Sequence, residues 1–191
     1  MDAHAQRVSE FFFPIVSDAF HGINTSEKVP AYVTGVLSDF AKTTRLYAPL
    51  GRIGIEEYQS PYIADMIKQA EYNSIGVQRI IRQHIGDYTL FMLGLFRPYV
   101  KRKGFESLYL GSGRQSYEFT ARHYDDPDLS LLFSELSGRF EACVTALNTM
   151  RERHLHFAAS SVRNDVMKFV ESMDVIDAIG VSGSPRNVSL K

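Results

Sequence analysis

Residues 75–96 read IGVQRIIRQHIGDYTLFMLGLF and form the longest apolar segment with helical periodicity in the chain. In its first half, apolar side chains recur at the three- and four-residue spacing of one helix face. From Leu90 to Phe96 no side chain is polar, so every face of those turns must contact protein. The segment predicts a central helix at about 75–96, which Pro98 ends or kinks because proline disfavours helical geometry in the residue before it.

Further amphipathic segments lie on both sides of this central helix. The longest begins at Asp126-Pro127, a good cap and first-turn pair, and keeps a seam of apolar side chains on one side as far as Met150. We expect it to be the antiparallel partner of the central helix. Together the segments predict an all-α, single-domain bundle of about six to seven helices over residues 1–174, followed by a mobile tail at 175–191.

The composition is that of an ordinary globular protein. Hydrophobic residues make up 45% and charged residues 23% of the chain, and the formal net charge is −1. A surface this close to neutral does not attract nucleic acid or an anionic membrane over any distance. The single cysteine, Cys143, excludes an intramolecular disulfide and fits a reducing compartment. We therefore expect a cytoplasmic protein that binds neither nucleic acid nor membranes.

A group of polar side chains on the central helix needs an explanation. His84 and Asp87 are three residues apart and Tyr88 is four residues after His84, so the three side chains can meet on one face. Asp87 directly precedes the apolar turns, where an isolated carboxylate is costly unless it is paired or protonated. The group is either a functional site, as a metal-ligand pair or an acid/base pair with Tyr109 and Tyr117 of a later helix facing it, or a satisfied polar cluster that fixes helix packing. No further ligand is connected to it by spacing, so the presence of a metal stays open.

Four cations follow the central helix: Arg97, Lys101, Arg102 and Lys103. They are either an anion-binding patch or the basic complement to the negative end of a helix that stops at Gly104. The second explanation is the preferred one because it requires no ligand.

The run GDYTLFMLGLF, residues 86–96, is followed by Tyr109, Gly113 and Tyr117 at four-residue intervals. This combination resembles a family of uncharacterised bacterial helical proteins that share Gly-Asp-x-x-Leu-Phe-x-x-Gly-x-Phe and then the same tyrosine and glycine spacing. The resemblance covers about residues 60–124. It implies an all-helical fold and brings no known activity.

A shorter segment, Ile85-Gly86-Asp87, is similar to the Leu-Gly-Asp of the distal helix in heme oxygenases. The glycines that follow in that family are replaced by Tyr88 and its successors, and neither His4 nor His21 lies far enough upstream to match the heme ligand. The likeness implies a heme-oxygenase-like bundle as an alternative.

Common catalytic motifs are missing from the sequence, among them a phosphate-binding glycine loop, Gly-x-Ser-x-Gly, Cys-x-x-Cys and His-Glu-x-x-His. The leading prediction is therefore a non-catalytic protein-interaction or regulatory module with a protein partner or self-association. The alternative is a small-ligand or metal-binding, heme-oxygenase-like bundle with its polar site around His84 and Asp87. The sequence names no cofactor and leaves open whether the protein is an enzyme.

Overall fold

The computed structural model describes residues 3–40 and 63–155, and within these ranges it contains seven α-helices, one short π-helix and no strand. All described residues belong to one compact unit, Met1–Phe157. The predicted all-α class is confirmed. In chain order the helices are α1 (Ala3–Phe20), α2 (Lys28–Phe40), α3 (Ile63–Glu71), α4 (Ile75–Arg102), α5 (Glu106–Arg122), α6 (Pro127–Gly138) and α7 (Phe140–Met150), and the π-helix is Arg151–Leu155.

The sequence also predicts a domain boundary, a mobile tail and no binding to membranes. The domain boundary at residue 174 and the mobile tail at 175–191 lie outside the described residues. None of the described helices is sufficiently long and apolar to cross a membrane.

The central helix α4 has a kink where the sequence predicts that the helix ends or kinks. Helical geometry is interrupted at Phe96, and a second helical part continues to Arg102. Only Phe96 leaves helical geometry, with φ −124° and ψ 25°. Pro98 lacks an N–H and its ring crowds the preceding turn, which explains why the helix bends there.

One side chain of α7 and one of the π-helix donate hydrogen bonds to the bent part of α4. Asn148 Nδ2 donates to the Leu93 carbonyl at 2.9 Å, and Arg151 Nη1 donates to the Leu95 carbonyl at 3.2 Å. Backbone carbonyls inside a protein are costly to leave without a donor. These two bonds connect the bent part of α4 to α7 and to the π-helix.

Helix α5 runs antiparallel to α4. Arg97, late in α4, pairs with Glu106 at the start of α5 at 2.7 Å. Asp87, earlier in α4, bonds to Tyr117 near the end of α5 at 2.8 Å. The turn between the helices is closed by Gly104, whose φ is +77°, a left-handed conformation that glycine adopts without strain.

The helix predicted from Pro127 to Met150 is divided in two. Asp126 caps it as expected, accepting bonds from the backbone N–H groups of Asp128 and Leu129. The prediction of one continuous helix is wrong, because Arg139, with φ −114° and ψ 17°, separates α6 from α7. The break leaves the apolar seam intact, since its main members are all buried: Leu132, Leu136, Phe140, Cys143, Leu147 and Met150.

The direction of α7 relative to α4 also differs from the expected one. Phe140, at the start of α7, packs at Gly113 together with Thr89 of α4. Asn148, near the end of α7, bonds to Leu93, further along α4. The contacts advance in the same direction along both helices, so α4 and α7 run parallel. Helix α5, which lies between α4 and α6 in the chain, is antiparallel to α4.

The apolar turns of α4 form the middle of the core. Every residue from Leu90 to Leu95 is buried, as the absence of polar side chains predicts. Gly94 makes room for Leu147, whose Cδ1 would lie 2.7 Å from a Cβ at position 94. In the first half of α4 the predicted register is less accurate, because Ile80 is 37% exposed.

Candidate functional site: a tyrosine-bound carboxylate on the central helix

Asp87 lies where α2, α4 and α5 meet. The Tyr32 hydroxyl of α2 donates to Asp87 Oδ1 at 2.7 Å, and the Tyr117 hydroxyl of α5 donates to the same oxygen at 2.8 Å. Asp87 lies deep in the bundle and keeps only a minor part of its surface exposed. Among the described residues no hydrogen bond to Asp87 Oδ2 is formed, so this oxygen has free acceptor capacity.

Two glycines allow α4 and α5 to approach closely enough for this arrangement. A Cβ at Gly86 would lie 2.6 Å from the Tyr117 ring, so the ring rests directly on the α4 backbone. A Cβ at Gly113 would overlap Phe140 Cζ and Thr89 Oγ1. Because position 86 is a glycine, the Tyr117 hydroxyl can reach the carboxylate of the next residue.

A chain of hydrogen bonds extends from Asp87 to the end of α5. Gln83 Nε2 donates to the Tyr32 hydroxyl at 3.0 Å, and the Tyr124 hydroxyl donates to Gln83 Oε1 at 3.0 Å. The Arg79 guanidinium lies 4.1 Å from the centre of the Tyr124 ring. Arg79 and Gln83 thus both contact Tyr124, which follows α5 in the chain.

His84 takes no part in this hydrogen-bonded chain. Its ring lies 5.7 Å from the Phe40 ring and 6.4 Å from the Tyr88 ring. No hydrogen bond or ion pair joins His84 to Asp87, although both residues are described and lie on neighbouring turns. The expected direct pairing of the two is therefore absent, and His84 belongs to an aromatic layer beside the carboxylate.

The electrostatics of the two groups are set mainly by burial. Burial raises the pKa of Asp87 to about 7, and Asp39 of α2 adds to this, while the two tyrosine hydrogen bonds act in the opposite direction. Burial and the charge of Asp87 raise the pKa values of Tyr32 and Tyr117 well above the usual range, so both hydroxyls remain donors. Burial lowers the pKa of His84 to about 4, which keeps the imidazole neutral at pH 7.

The predicted site residues thus fall into two adjoining groups. Asp87 and Tyr117 are joined directly, while His84, Tyr88 and Tyr109 form the aromatic layer, with 6.0 Å between the centres of the two tyrosine rings. Sequence reasoning missed three participants: Tyr32, Gln83 and Tyr124. Tyr32 lies 55 residues before Asp87, and no local spacing could connect two positions so far apart in the sequence.

No known protein family, curated protein or solved structure matches this chain. The resemblances seen in the sequence therefore stay predictions, and the function has to be argued from the site itself.

The four cations after residue 96 do not converge on one point. Arg97 pairs with Glu106, while Arg102 and Lys103 lie 5.8 Å and 5.7 Å from the centre of the Tyr99 ring. Lys101 and Arg102 are exposed in the last turn of α4. This arrangement agrees with charges that complement a helix end, and the anion-binding hypothesis stays a prediction.

The described residues offer little for metal or thiol chemistry. No group of three or more His, Cys, Asp or Glu side chains within them could hold a metal ion. Cys143 is buried on α7, and burial raises its pKa to about 12, so its thiol is protonated at neutral pH.

A separate groove of about 390 Å³ lies between α1 and α7. Asp18 and Arg153 contribute its charged groups, and most of the other lining side chains are small or apolar. Asp87 and His84 are not part of this groove, so the cavity and the candidate site are different places in the bundle.

Proposed function

We propose that this protein is a non-catalytic, small-ligand-binding helical module whose site is the Asp87–His84 slot, meaning the partly exposed surface of α4 that these two side chains share. The observation that carries the proposal is the geometry of Asp87. Two tyrosines from different helices hold one carboxylate oxygen, while the residue keeps access to solvent. A carboxylate held by its neighbours and open on one side is suited to binding.

Packing alone does not require a carboxylate at this position. The amide oxygen of an asparagine could accept the same two tyrosine hydrogen bonds without placing an ionisable group inside the bundle. Burying an ionisable group is costly, and a neutral group of similar shape avoids that cost. An ionisable group in such a place is typical of a functional site.

Binding is favoured over catalysis by the chemistry of the neighbouring groups. His84 makes no contact that would orient it as a partner base for Asp87, and the Cys143 thiol is protonated and buried. Nucleophilic catalysis requires a nucleophile within hydrogen-bond reach of its base. The described residues around Asp87 do not provide that pair.

The test is a thermal-shift screen with probes of three classes: organic cations, organic anions and neutral small molecules. We expect at least one class to raise the melting temperature of the unaltered protein and to leave that of Asp87→Asn unchanged. Asp128→Asn is the matched control, because it removes an exposed carboxylate on α6 that pairs only with Lys28. A probe that stabilises Asp87→Asn as much as the unaltered protein, or the failure of all three classes, would contradict the proposal.

The metal-binding form of the prediction has its own test. Metal analysis and an absorption spectrum on protein purified without chelator should show no stoichiometric metal and no heme band if the slot binds a metal-free ligand. Stoichiometric iron or manganese, or a heme band, would replace the proposal with a cofactor protein and make His84 the first residue to mutate.

A second candidate function, protein contact or self-association, is favoured by large apolar side chains on the surface. Phe13 is 51% exposed and Leu131 is 57% exposed. If they mediate self-association, sedimentation should give a mass above 21.6 kDa, and Phe13→Ser or Leu131→Ser should restore the monomer. Asp128→Asn, one turn from Leu131, should not. A strict monomer at every concentration, with no partner in a pull-down, would remove this candidate.

A further inference from the structure

We propose that the slot binds a small primary ammonium group, held by the Asp87 carboxylate oxygen that the tyrosines leave free and by the neutral imidazole of His84. This inference rests on the proposed binding function and names the chemical class of its ligand. It follows from the charge of the site, the rings around it and its size.

The charge of the site is negative. Within the described chain no lysine or arginine forms an ion pair with Asp87, and Asp39 of α2 is close enough to act on it electrostatically. Tyr32 and Tyr117 donate hydrogen bonds but bring no positive charge. A carboxylate in these surroundings is stabilised by a cation, and an anionic ligand would be repelled.

The rings beside Asp87 suit an organic cation. Phe40, His84 and Tyr88 are in mutual ring contact next to the carboxylate, at centroid distances of 5.7 to 6.4 Å. Aromatic faces attract ammonium groups, and more strongly where water is partly excluded. A hydrated metal ion would gain less from aromatic rings. The described residues of the slot would also offer it only two ligands, Asp87 and His84.

His84 selects for a group with N–H donors. Its imidazole forms no hydrogen bond with the described residues and is neutral, so one ring nitrogen can accept a hydrogen bond. A primary ammonium carries three N–H groups and can donate to Asp87 and to His84 together. A quaternary ammonium has none, so it would lose both bonds.

The accessible part of the site is small, because Asp87 and His84 are each only partly exposed. The rest of the ligand would extend outward along α4, toward the exposed side chain of Ile80.

Binding of an ammonium is expected to depend on pH. Tyr32 and Asp39 of α2 and Tyr117 of α5 act on Asp87, and His84 lies one turn before it on α4. Among these groups Asp87 is the one that changes charge near pH 7. The ammonium binds the ionised carboxylate. The ionised fraction of a group with a pKa near 7 rises from about a tenth at pH 6 to about nine-tenths at pH 8, so the affinity should rise roughly tenfold.

The experiment is calorimetric titration of the full chain with propylammonium, tetramethylammonium, propionate and magnesium at pH 6 and pH 8. We expect saturable binding of propylammonium alone, about tenfold tighter at pH 8, lost in Asp87→Asn and retained in Asp128→Asn. His84→Phe should keep the carboxylate and weaken binding, because it removes the imidazole acceptor while preserving a ring.

The outcomes separate this inference from the proposed function. If propionate or tetramethylammonium binds through Asp87 and propylammonium does not, the ammonium inference is overturned and the binding function stands. If no probe binds in an Asp87-dependent way, both are overturned. Should Asp87→Asn fail to fold, carboxyl NMR of the unaltered protein decides: propylammonium must lower the pKa of Asp87, and an unchanged pKa would refute the inference.

Discussion

At Asp87, burial and hydrogen bonding act on the carboxyl in opposite directions. Burial disfavours the charged form, while the Tyr32 and Tyr117 hydroxyls favour it, and burial prevails because the pKa is raised to about 7. An unfolded aspartate has a pKa of about 4. Between these values the folded protein holds a proton that the unfolded chain has lost, so this group's contribution to stability falls as the pH rises.

His84 has the opposite linkage. Its pKa is lowered to about 4 in the folded protein, against about 6.5 when unfolded. Between pH 4 and 6.5 the unfolded chain binds more protons at this position, so the contribution of His84 to stability rises with pH. Between about pH 4 and 6.5 the two residues therefore have opposite effects on the free energy of unfolding.

This opposition gives a prediction for pH dependence. In Asp87→Asn the free energy of unfolding should rise with pH between about 4 and 6.5, because only His84 then contributes, by at most about 1.4 kcal/mol per pH unit. In His84→Phe it should fall between about 4 and 7. Urea unfolding at half-unit pH intervals measures both slopes. Equal slopes in the two variants would contradict the assigned linkages.

A second residue-scale prediction concerns Gly86. In Gly86→Ala the added Cβ meets the Tyr117 ring, which must move away from Asp87. We expect a loss of roughly 1–3 kcal/mol in the free energy of unfolding, as in other overpacked sites. Gly111→Ala is the control, because a Cβ there meets nothing within 4 Å and improves helix propensity by up to about 1 kcal/mol. Chemical denaturation of both variants should give changes of opposite sign.

At the scale of elements, the kink of α4 depends on α7. Asn148→Ala removes the donor to the Leu93 carbonyl and should lower the free energy of unfolding by about 1–3 kcal/mol, because the bond lies in a partly buried place. Thr145→Ala removes an exposed hydroxyl that bonds only within α7 and should change it by no more than about 0.5 kcal/mol. Thermal unfolding of the pair provides the measurement. Similar losses in both would show that the kink does not need Asn148.

The sequence predicts helices better than it predicts where they end. The apolar turns from Leu90 to Leu95 and the cap at Asp126 follow from periodicity and local hydrogen bonding, and the structure contains both. The second helical part of α4, after Phe96, and the break at Arg139 do not follow from periodicity. Asn148 and Arg151 bond to the kinked part of α4 from elsewhere in the chain, and such tertiary bonds leave no mark in the sequence spacing.

The same limit applies to the candidate site. The sequence points to Asp87 because a carboxylate beside wholly apolar turns needs a partner, and it includes Tyr117 as a tyrosine of a later helix that can face this group. The partner on α2, Tyr32, and the bridge through Gln83 could not be derived, since both depend on how distant helices are placed. The expected contact of His84 with Asp87 was a local inference, and the aromatic ring of Phe40 replaces it.

For the whole molecule, the tyrosine cluster joins four helices. Tyr32, Tyr117 and Tyr124 each lie within ring contact of Phe133 on α6, at 5.2, 5.7 and 5.3 Å between centres. Phe133 therefore packs against every tyrosine of the network. Glu135 of α6 also binds the backbone and hydroxyl of Ser26, at the start of α2, which fixes the helix that carries Tyr32.

The two tyrosine bonds of Asp87 close loops of different length. The bond to Tyr117 joins residues 30 positions apart in neighbouring helices, and the bond to Tyr32 joins residues 55 positions apart. Shorter loops close at lower entropic cost, so the α4–α5 hairpin can form first, with the carboxylate still hydrated. The docking of α2 is then the step that dehydrates it, and folding should slow as the solution becomes alkaline enough to ionise that carboxyl.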